Sequence, residues 1–192
     1  MDLERLYPSD LIDIPWVDVV AQYSQPHRHY HTLQHIESCL GQIPIGLPKD
    51  ERQALEAMVW LHDWVYEPLY ADNEWHSAQV AYRHCKRGDV ERIADGIMAT
   101  VSHEYSNGDP LVCLFLDIDL SILSAPEKQY SIYAKQIRKE YAAVPDDLYA
   151  IGRRKVLWEL LGRPIYKTRW FAGRELAARQ NMKRELRNLT VA

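Results

Sequence analysis

Apolar positions recur along this chain at three- and four-residue intervals, and strict apolar/polar alternation over strand-length runs is scarce. That periodicity predicts an all-α fold, a single-domain helical bundle over 1–192. Breaker and capping residues divide the pattern. Helices are predicted at about 15–23, 30–40 (ended by Gly41), 50–66 (capped by Asp50 and stopped by Pro68), 72–86 and 90–103. Gly88 separates the last two, and S-N-G-D-P at 106–110 is a further interruption. The run P-L-V-C-L-F-L-D-I-D-L-S-I-L is apolar enough for a buried helix or a strand; its helical surroundings favour helix. In S-A-P-E, Ser124 is the expected N-cap and Glu127 its capping-box partner, for a helix to about Ala142. Two more helices are expected, Asp146–Leu161 closed by Gly162, and an amphipathic one at about 168–189.

Composition narrows the functional classes. The 192 residues are 47% apolar, enough to bury a core without covalent staples. Cys39, Cys85 and Cys113 are odd in number and scattered, as expected in a reducing cytoplasm. The opening M-D-L-E-R-L-Y-P-S-D lacks the basic and apolar regions of a secretory signal, and no apolar run approaches the roughly 20 residues of a membrane span. A soluble, cytoplasmic protein is expected, a monomer or homodimer. With 23 basic against 27 acidic residues the net charge is −4, which disfavours long nucleic acid as a partner.

Candidate chemistry begins in P-H-R-H-Y-H-T-L-Q-H-I, where four of eight histidines fall within nine positions. On a helix, His31 and His35 would lie about 40° apart and point into one site. Alone, such a pair is a weak signal, since it also reads as hydrogen-bonded histidines at a core edge. In A-M-V-W-L-H-D-W-V-Y, His62 and Asp63 interrupt an apolar run, and an ionised carboxylate there demands compensation from a cation or an arginine. A divalent ion between the two side chains is one solution; a salt bridge from another helix is the other. Asp117 and Asp119 likewise intrude into apolar sequence. On a helix they lie about 200° apart, so only one can face a given site.

The order H, then HD, then D resembles the HD superfamily of metal-dependent phosphohydrolases. The stretches R-H-Y-H-T-L-Q-H-I, L-H-D-W-V-Y-E-P, D-N-E-W-H-S-A, F-L-D-I-D-L-S-I-L, Y-A-K-Q-I-R-K-E-Y and G-R-R-K-V-L are similar to a small bacterial branch of predicted HD phosphohydrolases, over about 20–168. The resemblance implies an HD/phosphodiesterase-like helical fold and His35, His62, Asp63 and Asp119 as ligands of a divalent metal (Mn, Fe, Co, Mg, Ni or Zn). Asp119 is preferred to Asp117 because the superfamily's late aspartate follows a small or apolar residue, here Ile118. Y-H-T-L-Q-H also resembles the Y-H-N-x-x-H of cyclic-nucleotide phosphodiesterases, which implies His31 as general acid. The chain departs from the branch it resembles at Ser124, where members tend to carry glycine after D-L-x-I-L.

The implied activity is hydrolysis of a phosphate ester, of a nucleotide or another small phosphorylated metabolite, by a metal-activated water. Glu74, in preference to Glu67, is expected to orient or deprotonate that water. Its ordinary reading is a first-turn carboxylate favoured by the helix dipole. His103 is expected either as a second-metal ligand or as a helix-end histidine. Arg28 and Arg138 are candidate phosphate clamps, or arginines of a solvated face. Tyr30 or Trp64 can stack on a base. His27, His29, His76 and His84 are assigned to the surface or to supporting positions. Two other classes fit the same residues: a diiron oxygenase, which needs a second metal, and a non-catalytic nucleotide- or partner-binding module with a structural metal.

Overall fold

The computed structural model describes residues 2–86, 88–105 and 108–189. They form ten α-helices: α1 Leu3–Leu6, α2 Trp16–Tyr23, α3 Leu33–Leu40, α4 Lys49–Leu61, α5 Asn73–His84, α6 Val90–Ala99, α7 Pro110–Asp119, α8 Glu127–Glu140, α9 Asp146–Leu161 and α10 Glu175–Asn188. Two 3-10 turns, Leu120–Ser124 and Ala172–Arg174, join the later ones. Among the described residues there is no strand, only an isolated antiparallel bridge between Ile12 and Cys85. No described helix is long and apolar enough to cross a membrane.

The centre is α4, whose last turns, Leu55 and Ala57 through Leu61, are buried. A segment apolar on every side needs neighbours on every side. α4 receives α3, α5, α6 and α7 around it. Its approach to α6 is close: a Cβ on Gly96 would stand 2.7 Å from Met58 Sδ, so only glycine admits this spacing without displacing that side chain. α7 is equally buried, with Leu111, Val112, Leu114 to Ile118 inside, and the ambiguous apolar run is therefore helical up to Asp119.

Several predicted helix ends move. The helix expected at 30–40 starts at Leu33, with Thr32 as N-cap, because the backbone N–H groups of His29, Tyr30 and His31 all donate to Glu140 Oε1 (2.8, 2.6 and 3.0 Å). Fixed to the end of α8 in this way, residues 29–31 lie outside the helix, and Thr32 is extended, at φ −118° and ψ 177°. α4 stops at Leu61 rather than 66, because the Arg28 guanidinium takes the carbonyls of Asp63 and Trp64 (2.7 and 2.8 Å) and bends the chain away. α6 ends at Ala99 rather than 103. The interruption expected at 106–110 includes residues 106 and 107, which lie outside the described residues.

The predicted capping box at Ser124 is not formed. Ser124 closes the 3-10 turn and its hydroxyl donates to Ser121 O, while Pro126 precedes α8 without a side-chain cap. The last helix starts at Glu175 rather than 168, because Asp117 holds the backbone of Lys167 and Thr168 in a loop. α1, before the first predicted helix, has no counterpart in the periodicity, which is too short there to register.

Candidate functional site

Helix ends deliver the site. His35 lies in α3; His62 caps the C-terminus of α4 and Asp63 follows it; Asp119 is the last residue of α7; His103 sits just beyond α6; and Glu140 is the last residue of α8. Four helices thus bring their C-terminal ends together. The partial negative charge of those ends favours a cation.

Four atoms form the centre. His35 Nε2 is 3.1 Å from His62 Nε2, 3.5 Å from Asp63 Oδ2 and 3.2 Å from Asp119 Oδ1. His62 Nε2 is 3.0 Å from Asp63 Oδ2 and 3.4 Å from Asp119 Oδ1. Nitrogen and oxygen ligands held about 2.0–2.2 Å from one divalent ion stand roughly 3–3.5 Å from each other. His62 Nδ1 donates to Val59 O at 3.0 Å, which turns Nε2 to the centre. Asp63 Oδ2 is buried and makes no hydrogen bond: His62 Nε2 is near enough to pair with its charge but out of line to donate to it. A buried carboxylate oxygen without a donor, between two imidazole nitrogens, fits a cation-binding set.

The electrostatics agree with that reading. Burial raises the Asp63 and Asp119 carboxyls, but the His62 imidazole and its neighbours outweigh it and hold both below the usual carboxylate range. Burial lowers His62, and the same two carboxylates overcome it and raise it well above an ordinary histidine. Cys39 Sγ lies 3.7 Å from His35 Nδ1, and His35, Cys39 and Asp119 form a second group within reach of an ion. Burial, then Asp119 and Asp63, push that thiol up.

His31 is outside the helix that the i, i+4 argument required, yet its ring still reaches the site, 5.9 Å from the ring of His35. Its position comes from Glu140. His31 Nδ1 donates to Glu140 Oε2 at 2.8 Å, leaving Nε2 for the cavity, and Tyr66 Oη donates to the same oxygen at 2.8 Å while its ring lies 4.0 Å from the imidazole. Burial raises the Glu140 carboxyl, but His31 and the backbone N–H groups of His31 and Tyr30 hold it at about 2. Burial lowers His31, and Asp63 and Glu140 overcome it. Glu140 has no sequence signal beyond its place in R-K-E-Y, and Tyr66 none beyond L-H-D-W-V-Y.

A cavity of about 580 Å³ opens on this centre, lined by His31, His62, Asp63, Glu74, His103 and Asp119 among others. Glu74, on the first turn of α5, is at its wall; Glu67 is outside it, 4.0 Å from His27 Nε2. His103 adopts φ +52°, a strained conformation for a residue with a side chain, and its Nε2 donates to Asp119 Oδ2 at 2.9 Å.

Other candidates are elsewhere. Arg28 is 5% exposed and its donors go to Gln25 Oε1 and to the carbonyls of His31, Asp63 and Trp64, so it positions the site and is not a phosphate clamp. Arg138 binds the carbonyls of Tyr141 and Val144 and the Asp146 carboxylate, and faces a different cavity of about 450 Å³ between α8, α9 and α10. Asp117 is fully buried and faces away from the histidines. Tyr30 packs on Tyr133 and His35, and Trp64 on Tyr23, so neither ring presents itself to a base in the cavity. His27 donates to Tyr66 O, His84 to Asp13 O, and His76 pairs with Asp72. No family model, curated protein or solved structure matches the chain.

Proposed function

We propose that the chain is a metal-dependent phosphohydrolase of the HD type, cleaving a phosphate ester of a nucleotide or another small metabolite. The observation that carries this reading is the four-atom set of His35, His62, Asp63 and Asp119, with the orphaned Asp63 Oδ2 inside it and His31 at its edge. His35 Nε2, His62 Nε2, Asp63 Oδ2 and Asp119 Oδ1 hold a divalent cation. When bound, such an ion supplies a water-derived nucleophile at neutral pH and polarises a phosphoryl oxygen.

The chain's own groups do the rest. His31, raised by Asp63 and Glu140 against the effect of burial, gives its Nε2 proton to the departing alkoxide. Glu140 and Tyr66 fix the imidazole's direction. Glu74 orients water from the cavity wall. The diiron alternative needs a second ligand group, and among the described residues every group of three or more able to share an ion includes His35, which favours one ion.

The test is purified protein loaded in turn with Mn²⁺, Co²⁺, Fe²⁺ and Mg²⁺ against a panel of phosphate esters. Phosphate release is expected with at least one ion; none with any of the four overturns the proposal. His31→Ala is expected to lower turnover by roughly 10²–10⁴-fold with metal content unchanged. A structural metal in a binding module predicts ligand binding without turnover in either protein.

A further inference from the structure

The lining of the same cavity is not only polar. Leu69 and Tyr70 from the segment after α4, Tyr141 and Val144 after α8, and Leu148 and Val156 of α9 make up its apolar arm. Four of these are well exposed to solvent: Leu69 67%, Tyr70 66%, Leu148 55% and Val156 45%. Exposed apolar residues scattered singly need no explanation, but a group lining one cavity beside a reactive centre does.

Gly152 sharpens the point. It is in the interior of the sixteen-residue α9, where glycine is the poorest helix former except proline. It shares a helical face with Leu148 and Val156, four residues to either side, and all three line the cavity. A Cβ added there would meet nothing within 4 Å, so no neighbouring atom requires glycine. What glycine provides is room in the arm.

Charge restricts the occupant further. The lining includes Asp63, Glu74 and Asp119, but Arg153 is its only lysine or arginine among the described residues. That guanidinium is already bound to both Glu185 oxygens, at 2.7 and 3.1 Å, and to Tyr133 Oη. One phosphate can be offset by the cation and His31; each further phosphate of a polyphosphate would need another cation, which the rest of the described lining does not offer, and would approach Glu74.

We infer that the substrate is an ester of one phosphate with an apolar alkyl or aryl alcohol, whose apolar part lies along the Leu148–Gly152–Val156 face of α9. This rests on the proposed hydrolase reading for the position of the phosphate, and the experiment separates the two. Binding of methylphosphonate and hexylphosphonate to the Mn²⁺-loaded protein is measured by calorimetry, without turnover. Hexylphosphonate is expected to bind at least roughly tenfold more tightly, since methylenes buried in an apolar arm each add affinity.

Gly152→Leu is expected to bring the hexyl-to-methyl affinity ratio to about one, with metal content retained and Tm no lower. Leu148→Asp, a second variant, is expected to lower the ratio at least fivefold. Equal affinity of the two phosphonates in the wild type, no binding of either, or a ratio unmoved by Gly152→Leu overturns the inference. A change of oligomeric state in Leu148→Asp alongside the loss assigns the patch to contact between copies and overturns it also. If the ratio behaves as expected but no ester is hydrolysed, the hydrolase reading fails and the apolar arm stands.

Discussion

Asp117 and Asp119 are two residues apart on one buried helix and have opposite surroundings. Asp117 Oδ1 accepts from Lys167 N at 2.8 Å, and Oδ2 from Thr168 N and Thr168 Oγ1 at 2.7 and 2.6 Å. Its charge is met by fixed donors, and it fastens the segment before α10 onto α7. Asp119 Oδ1 faces two imidazoles, of His35 and His62, that can give way to a cation, while its Oδ2 accepts from His103, and Asp63 Oδ2, close to the same two imidazoles, has no donor at all. A buried carboxylate is therefore no indication of function by itself. What distinguishes the two is whether the carboxylate is met by fixed backbone and hydroxyl donors or by imidazoles that can give way to a cation.

Reciprocal substitutions break the comparison most strongly. Asp119→Ala is expected to remove the ion from the purified protein and lower turnover by at least roughly 10³-fold, read by elemental analysis and kinetics. Asp117→Ala is expected to leave metal content near that of the wild type and to cost about 3 kcal/mol of stability, because three partly buried donors lose their acceptor; urea denaturation measures it. Loss of metal in Asp117→Ala, or its retention in Asp119→Ala, would exchange the two roles.

A third carboxylate extends the contrast to pH. Glu140 is held at about 2 against an ordinary 4.5, which corresponds to up to about 3 kcal/mol of stability. A depressed carboxyl stabilises above its unfolded value, so this contribution is complete above pH 4.5 and is lost as pH falls from there toward 2. Denaturation curves across that window should show the decline in the wild type, and Glu140→Gln should flatten it. Burial shifts Asp117 in the opposite direction, upward, so its ionisation adds no such slope.

The smallest effect is expected at His103, which orients Asp119 from outside the four-atom set. His103→Asn tolerates the positive φ but gives up the hydrogen bond to Asp119 Oδ2, and should weaken metal affinity by roughly tenfold. A larger loss, with two ions per chain in the wild type, would make His103 a ligand and favour the oxygenase alternative.

Much of the all-helical architecture is legible in the chain, because burial imposes a 3.6-residue period wherever a helix rests one face on a core. Helix ends are less legible. Ser124 and Glu127 have the letters of a capping box, yet the Leu120–Ser124 turn uses the serine differently. His31 and His35 have helical spacing, yet Glu140, more than a hundred residues on, pulls His31 out of the helix and still leaves it beside His35. Arg28 reads as a surface or phosphate-binding arginine until its donors are traced to carbonyls across the site.

The sequence by itself determined the helical class and the residue types able to gather at a cation: an imidazole or carboxylate inside an apolar run stands out because burying it uncompensated is costly. Tertiary structure alone decided which of those groups meet. Asp117 turned to a loop and Asp119 to the histidines, Glu140 and Tyr66 set the direction of His31, and Arg28 and Arg138 were drawn to backbone carbonyls. The reason is physical. A polar group's burial cost is set by its own chemistry, but its partner is whatever the packing of other helices brings within about 3 Å, and no local spacing encodes that.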